Sequence, residues 1–266
     1  MPYRLLTILL SLKFGQEWAV HRGHKEMAID DFDIDSLAAH LHLSPEQVRK
    51  MVDRNKLPGR RVGGEWKFSR AEIHHWFEER IGVSDEMELA RVEKVLGTHR
   101  TVDDAEMEIA SLLSIDRIAV PLIARTRNSV VEQMCELAAL SGALWMPREM
   151  AASIRNREAL HPTALGNGVA LLHPRRPQPS FFGDSFLAMG ITASGIPFGG
   201  PRGVLTDIFF LIGSSDDASH LRLLARMSRL LQNSQLLDDF RNTSSASDVW
   251  QKMVDAESEL DEVKGN

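Results

Sequence analysis

Two histidines carry the chemistry that this sequence suggests. His173 closes the apolar run Val169-Ala-Leu-Leu172, which follows Gly166-Asn-Gly168, and His220 opens an amphipathic segment that reaches Leu231. A neutral imidazole nitrogen can attack phosphorus in line, and catalysis of such a transfer is mostly positioning and charge stabilisation. Gly166 and Gly168 are expected to take positive φ in a tight turn, aiming the strand behind them and leaving backbone N–H groups near an anion. His220, close to a helix N-terminus, would sit where the helix dipole and unpaired N–H groups favour phosphate. The ten histidines show no metal-ligand spacing, so neither a metal nor another cofactor is expected.

The elements that must position these residues alternate along the chain. Strands are expected at 118–124, 168–173, 185–192 and 206–213, and helices at 129–141, 146–156, 220–231 and 246–255. That order suggests a three-layer α/β domain with a mixed sheet over residues 111–257, its site at strand ends.

The segment Arg157-Glu-Ala-Leu-His-Pro-Thr-Ala-Leu-Gly-Asn-Gly-Val-Ala-Leu-Leu-His173 resembles the active-site segment of the mannitol/fructose-type IIA domains of the phosphotransferase system, including their nitrogen-regulatory branch. The resemblance extends through Ile196-Pro-Phe198 to Ser219-His-Leu-Arg-Leu-Leu224, which is similar to the family's second-histidine helix. It implies that His173 accepts a phosphoryl group from the histidine-containing phosphocarrier protein, that His220 is its neighbour and that Arg157 assists with charge. The family usually carries Ile-Pro-His-Gly at the acceptor. This chain has Leu171-Leu-His-Pro174, where Pro174 lacks an N–H, and then Arg175-Arg176.

Nearer the start, Ile34–Leu41 reads as a short helix, and Ser44-Pro-Glu-Gln47 begins a second one with an N-cap, a proline at the first helical position and a capping box. Gly63-Gly64 signals a two-residue hairpin, and Ser69 with Glu72 opens a third helix carrying Ile73, Trp76 and Phe77. From Ser44 to Arg70 there are eight basic residues against three acidic ones, a local net charge of +5 in a chain whose net charge is −6. An acidic chain can contact nucleic acid only through such a local patch. Residues 33–81 resemble the excisionase/MerR-type winged helix-turn-helix. That resemblance implies DNA contacts from Gln47, Arg49, Lys50 and Arg54 on the second helix and from Arg60, Arg61 and Lys67 on the wing.

Residues 1–32 read as an N-terminal extension. The apolar run Leu5–Leu12 is too short to span a bilayer and Lys13 ends it, so no membrane role is expected. Residues 82–110 read as a helical linker, with helical pattern from Val83 to Gly97 and a new helix start at Thr101–Asp104; residues 258–266 read as a tail. The single cysteine, Cys135, excludes an internal disulfide and fits a cytoplasmic protein. Together these readings describe a cytoplasmic DNA-binding regulator with a histidine-phosphorylatable domain, with a homodimer left open. Two alternatives stand beside it: a phosphoryl-relay component of the phosphotransferase system, and a regulatory binding protein without phosphorylation.

Overall fold

The computed structural model describes residues 31–41, 43–70, 72, 73, 76 and 108–262. Residues 1–30 of the expected extension at 1–32, the linker helix at 83–97, the helix start at 101–104, and Phe77 lie outside the described residues. The chain divides into two units, 1–73 and 74–266.

In the first unit, helices α1 (Ile34–Leu41) and α2 (Pro45–Asp53) are followed by a hairpin of β2 (Arg60–Val62) and β3 (Glu65–Ser69). The capping box of α2 is formed as the sequence predicts: Gln47 N–H donates to Ser44 Oγ, and Ser44 N–H donates to Gln47 Oε1. Gly63 and Gly64 have φ of 62° and 89°, the double positive turn whose twist matches a two-residue hairpin. Leu37, Val48, Phe68 and Ile73 form the core, with Val52 and Leu57 beside them. Arg70, Glu72, Ile73 and Trp76 are helical, in keeping with the third helix. One strand was not anticipated. β1 (Asp31–Phe32) pairs antiparallel with β3, so the unit begins before the expected boundary at 33.

The second unit is built on a four-stranded mixed sheet in the order β4-β6-β7-β5: β4 (Leu113–Ala119), β5 (Val169–Leu172), β6 (Phe186–Ile196) and β7 (Thr206–Gly213). β4 runs parallel to β6, β6 antiparallel to β7, and β5 parallel to β7. Side chains alternate across a strand. Ala170, Leu172, Phe186, Ala188, Phe209 and Leu211 therefore share one face, and they pack into a core with α4 (Arg127–Leu140) and α5 (Pro147–Leu160). The alternate residues Val169, Leu171, Leu187, Met189, Ile208, Phe210 and Ile212 are buried too. Helices thus cover both faces: α6 (Asp217–Leu230), α7 (Ser234–Arg241) and α8 (Ala246–Glu262) complete the three layers.

Several expected boundaries move, each for a local reason. The strand expected at 118–124 lies instead at Leu113–Ala119, overlapping it only at Ile118 and Ala119, and it stops short of Pro121, which has no N–H for a sheet ladder. α5 runs on to Leu160, which puts Arg157 in its last turn. α6 starts at Asp217 because Asp216 caps it, accepting from Ser219 N–H at 2.9 Å. α7 was not anticipated, although Asn233 caps it through Leu236 N–H. α8 passes the boundary at 257 and takes in part of the expected tail. The expected linker also ends early, since α3 (Ile109–Leu112) is bound to α8: Glu257 accepts Ile109 N–H at 2.7 Å and Ala110 N–H at 2.9 Å.

Candidate functional site

β5 and β7 lie side by side and parallel, with Leu172 opposite Leu211, so their C-terminal ends meet at one edge of the sheet. His173 follows the first strand and Ser214 the second. By alternation both stand on the face opposite α4 and α5. The chain leaving β7 turns at once into α6, whose fourth residue is His220. The two rings are thereby brought together, with centroids 4.9 Å apart and planes at 61°. Both are buried, His173 at 3% exposure and His220 at 1%.

Each ring is oriented through Nδ1. His173 Nδ1 lies 2.8 Å from the Leu171 carbonyl oxygen. A carbonyl can only accept, so in the neutral ring Nδ1 carries the hydrogen and Nε2 keeps its lone pair. His220 Nδ1 lies 3.1 Å from the Ser214 hydroxyl, which is 3% exposed.

The strand bearing His173 is supported from its open side. β5 is an edge strand, and residues 163–165 cover it: Leu171 N–H donates to Thr163 O, Leu165 N–H donates to Val169 O, and Ala164 bridges Ala170. Thr163 is held in turn by Glu158, whose carboxylate accepts both its N–H and its hydroxyl. Glu158, 3% exposed, also pairs with Arg127 at 2.9 Å. Sequence reasoning missed Glu158, Thr163 and Ser214. The first two lie inside the quoted Arg157–His173 segment, whereas Ser214 has no local signature.

Three expectations need correction. Gly168 has φ of 88°, but Gly166 is not in the positive region and would meet nothing if given a Cβ. The Gly-Asn-Gly turn also stands at the opposite end of β5 from His173, where Arg241 binds Asp207 through two hydrogen bonds and donates to Asn167 O. Its backbone is a structural lock, not an anion seat at the histidine pair. Lastly, the N-terminus of α6 is already occupied by the Asp216 carboxylate, and His220 N–H donates to Asp216 O. Arg157, 6% exposed, donates from Nη1 to the His161 carbonyl at 2.6 Å. Pro174 is buried, while Arg175 and Arg176 are exposed.

On the first unit, Arg49, Lys50 and Arg54 are exposed along α2, and Arg60 and Arg61 on β2. Lys50 pairs with Glu46 at 2.8 Å, Arg60 with Asp31 at 2.5 Å and Lys67 with Glu65 at 3.5 Å; the Arg61 guanidinium lies over Trp66. Gln47 differs from the other expected contacts because its Oε1 is engaged in the capping box.

Comparison with known proteins gives the same division. Residues 32–81 match the helix-turn-helix domain family. The chain is 24% identical over 132 residues to the fructose-specific EIIABC component of Bacillus subtilis (strain 168), covering 49% of this chain and 20% of that protein. It therefore spans about a fifth of that relative's length. Against the nitrogen regulatory protein of Escherichia coli (strain K12) it is 23% identical over 167 residues, covering 61% of this chain and 99% of the relative. The crystal structure of nitrogen regulatory protein IIA-Ntr from Neisseria meningitidis superposes with a TM-score of 0.50 at 20% identity, covering 55% of this chain and 98% of that one, which establishes the fold. Among the described residues no helix is long and apolar enough to cross a membrane. Residues 111–255, more than half of the sequence, match the family described as phosphoenolpyruvate-dependent sugar phosphotransferase system, EIIA 2, and the chain belongs to that family.

Proposed function

We propose that the chain is a DNA-binding regulator whose second domain accepts a phosphoryl group on His173 Nε2. The observation that carries this reading is the 2.8 Å contact of His173 Nδ1 with Leu171 O, which leaves the lone pair on Nε2, in a ring packed against His220. The Nε2 lone pair attacks phosphorus on a phosphohistidine donor. The donor's P–N bond breaks, its electron pair returns to the donor ring, and the proton of His173 stays on Nδ1, donated to the Leu171 carbonyl. The donor is the phosphocarrier protein of the phosphotransferase system. Arg157 serves as supporting charge, and the exposed Arg175 and Arg176 supply positive potential beside the acceptor.

The first domain binds DNA through Arg49, Lys50 and Arg54 on α2, with Arg60, Arg61 and Lys67 on the wing and Gln47 at the start of the helix. Its boundary near residue 81 and that of the second domain near 111 separate a recognition module from a sensor. Phosphorylation adds about −1.5 to −2 charges at neutral pH, a local change large enough to alter contacts made near His173. This assigns the chain to the cytoplasm, where DNA and the phosphocarrier are both present.

The test is incubation with phosphoenolpyruvate, enzyme I and the phosphocarrier protein. Wild type is expected to acquire an acid-labile label and His173→Ala none. An unlabelled wild type, or equal labelling of both, would refute the acceptor assignment.

A further inference from the structure

The two buried rings are held through chemically different partners, and that difference assigns a role to Ser214. His173 Nδ1 faces a carbonyl, which only accepts. His220 Nδ1 faces a hydroxyl, which can accept or donate. What decides is the hydroxyl's own hydrogen. Ser214 is 3% exposed, and a buried hydroxyl hydrogen is almost always donated to something. Among the described residues, the acceptor within reach is His220 Nδ1 at 3.1 Å. If Ser214 donates, Nδ1 holds a lone pair and the neutral His220 ring carries its hydrogen on Nε2.

We propose that Ser214 is a positioning residue that fixes His220 as the Nε2–H tautomer, opposite to His173, so that the pair presents one nucleophilic nitrogen and one hydrogen-bond donor. This rests on the assignment of His173 as acceptor. Two rings with lone pairs on both Nε2 atoms would repel the phosphoryl oxygens, whereas a donor ring stabilises the charge that develops on them. The alternation that buries Ile208, Phe210 and Ile212 also puts Ser214 on the histidine face, so the same strand that organises the sheet delivers the hydroxyl.

The experiment uses the full chain. Long-range proton–nitrogen NMR, with the His220 ring assigned by its loss in His220→Gln, is expected to show an unprotonated Nδ1 and a protonated Nε2 in wild type. Ser214→Ala is expected to lose this single-tautomer pattern and to slow labelling from the phosphocarrier about tenfold, the cost of one hydrogen bond to the reacting group. Ser214→Thr, which restores a hydroxyl, is expected to recover both. A protonated Nδ1 in wild type overturns the proposal, as does a Ser214→Ala protein that keeps the wild-type tautomer and rate. Labelling with phosphoramidate, a small donor that needs no docking, tells the two levels apart. Absence of label on His173 refutes the acceptor assignment, while the tautomer spectrum still reports on Ser214.

Discussion

The two units use charge in opposite ways. In the first, the Lys50–Glu46 ion pair stands in solvent, 64% and 77% exposed, and Arg49, Arg54, Arg60 and Arg61 are exposed as well, while Lys67 is half-buried. In the second, two carboxylates are withdrawn: Glu257 and Glu158 are buried and each pairs with a guanidinium 31 residues away, Glu257 accepting also the distant Ile109 and Ala110 N–H and Glu158 the nearby Thr163 N–H. Exposed pairs contribute little to stability and leave their cations available to a polyanion. Buried carboxylates hold elements together and offer nothing to a partner. Substitutions in the first unit should therefore change binding and spare stability, and substitutions in the second should do the reverse.

The largest effect is expected at Glu257. Its carboxylate accepts Arg226 Nε at 2.7 Å together with Ile109 and Ala110 N–H, tying α8 to α6 and to the start of the domain. Glu257→Ala removes one partner of a buried pair, which costs about 3–5 kcal/mol. Denaturant unfolding measures it. A loss below about 1 kcal/mol would mean that the buried carboxylate is dispensable and would remove half of the contrast.

The other half is tested at Arg49 and Arg54. The double replacement by alanine is expected to weaken DNA binding about tenfold or more and to lower the slope of log affinity against log salt by about 2. The unfolding free energy should stay within about 0.5 kcal/mol of wild type, as for other exposed substitutions. Unchanged affinity and salt slope would argue that α2 is not the recognition surface.

A smaller contrast lies within a single turn. Gly168 has φ of 88°, and a Cβ there would come 2.7 Å from Arg241 Nη2 and 3.0 Å from Asp207 Oδ1. Gly168→Ala is expected to destabilise by about 1–3 kcal/mol through strain and the displaced lock. Gly166→Ala meets nothing and needs no positive φ, so it should be neutral or stabilise by up to about 1 kcal/mol. Comparing the two melting curves checks the assignment, and equal losses would contradict it.

These pairs also mark what a sequence can disclose. The α2 capping box and the Gly63-Gly64 hairpin were legible because every participant lies within a few residues. Gly166 and Gly168 look alike in sequence, but only Gly168 is bent into the positive region. β1 was invisible because two residues form a strand only by finding Phe68 and Ser69, far along the chain. Glu257 and Ile109 are 148 residues apart, so no local spacing announces their bond. The same holds for the site. His173 and His220 stood out through family resemblance, whereas Ser214 acquires its role only when β7 is laid beside β5. By contrast, the Asp216 and Ser219 pair that starts α6 was present in the sequence and simply outweighed by the apolar pattern that begins after it.

The smallest expected effect belongs to Asp33, an exposed carboxylate in the first unit that does act structurally. Ser36 N–H donates to Asp33 Oδ1 at 2.8 Å, its hydroxyl also donates to that oxygen, and Asp33 N–H donates back to Ser36 Oγ at 2.9 Å. The hydroxyl bond, followed by the N–H bond, holds the Asp33 carboxyl below its ordinary value of 3.8. A carboxyl whose folded value lies below its unfolded one favours the folded state above the unfolded value. That contribution disappears as pH falls through the folded value. NMR titration should find Asp33 below the ordinary aspartate range in wild type and closer to it in Ser36→Ala, which removes the largest cause. If the Asp33 titration were the same in both proteins, the hydroxyl would not be what lowers it, and the one structural role assigned here to an exposed charge of the first unit would fall.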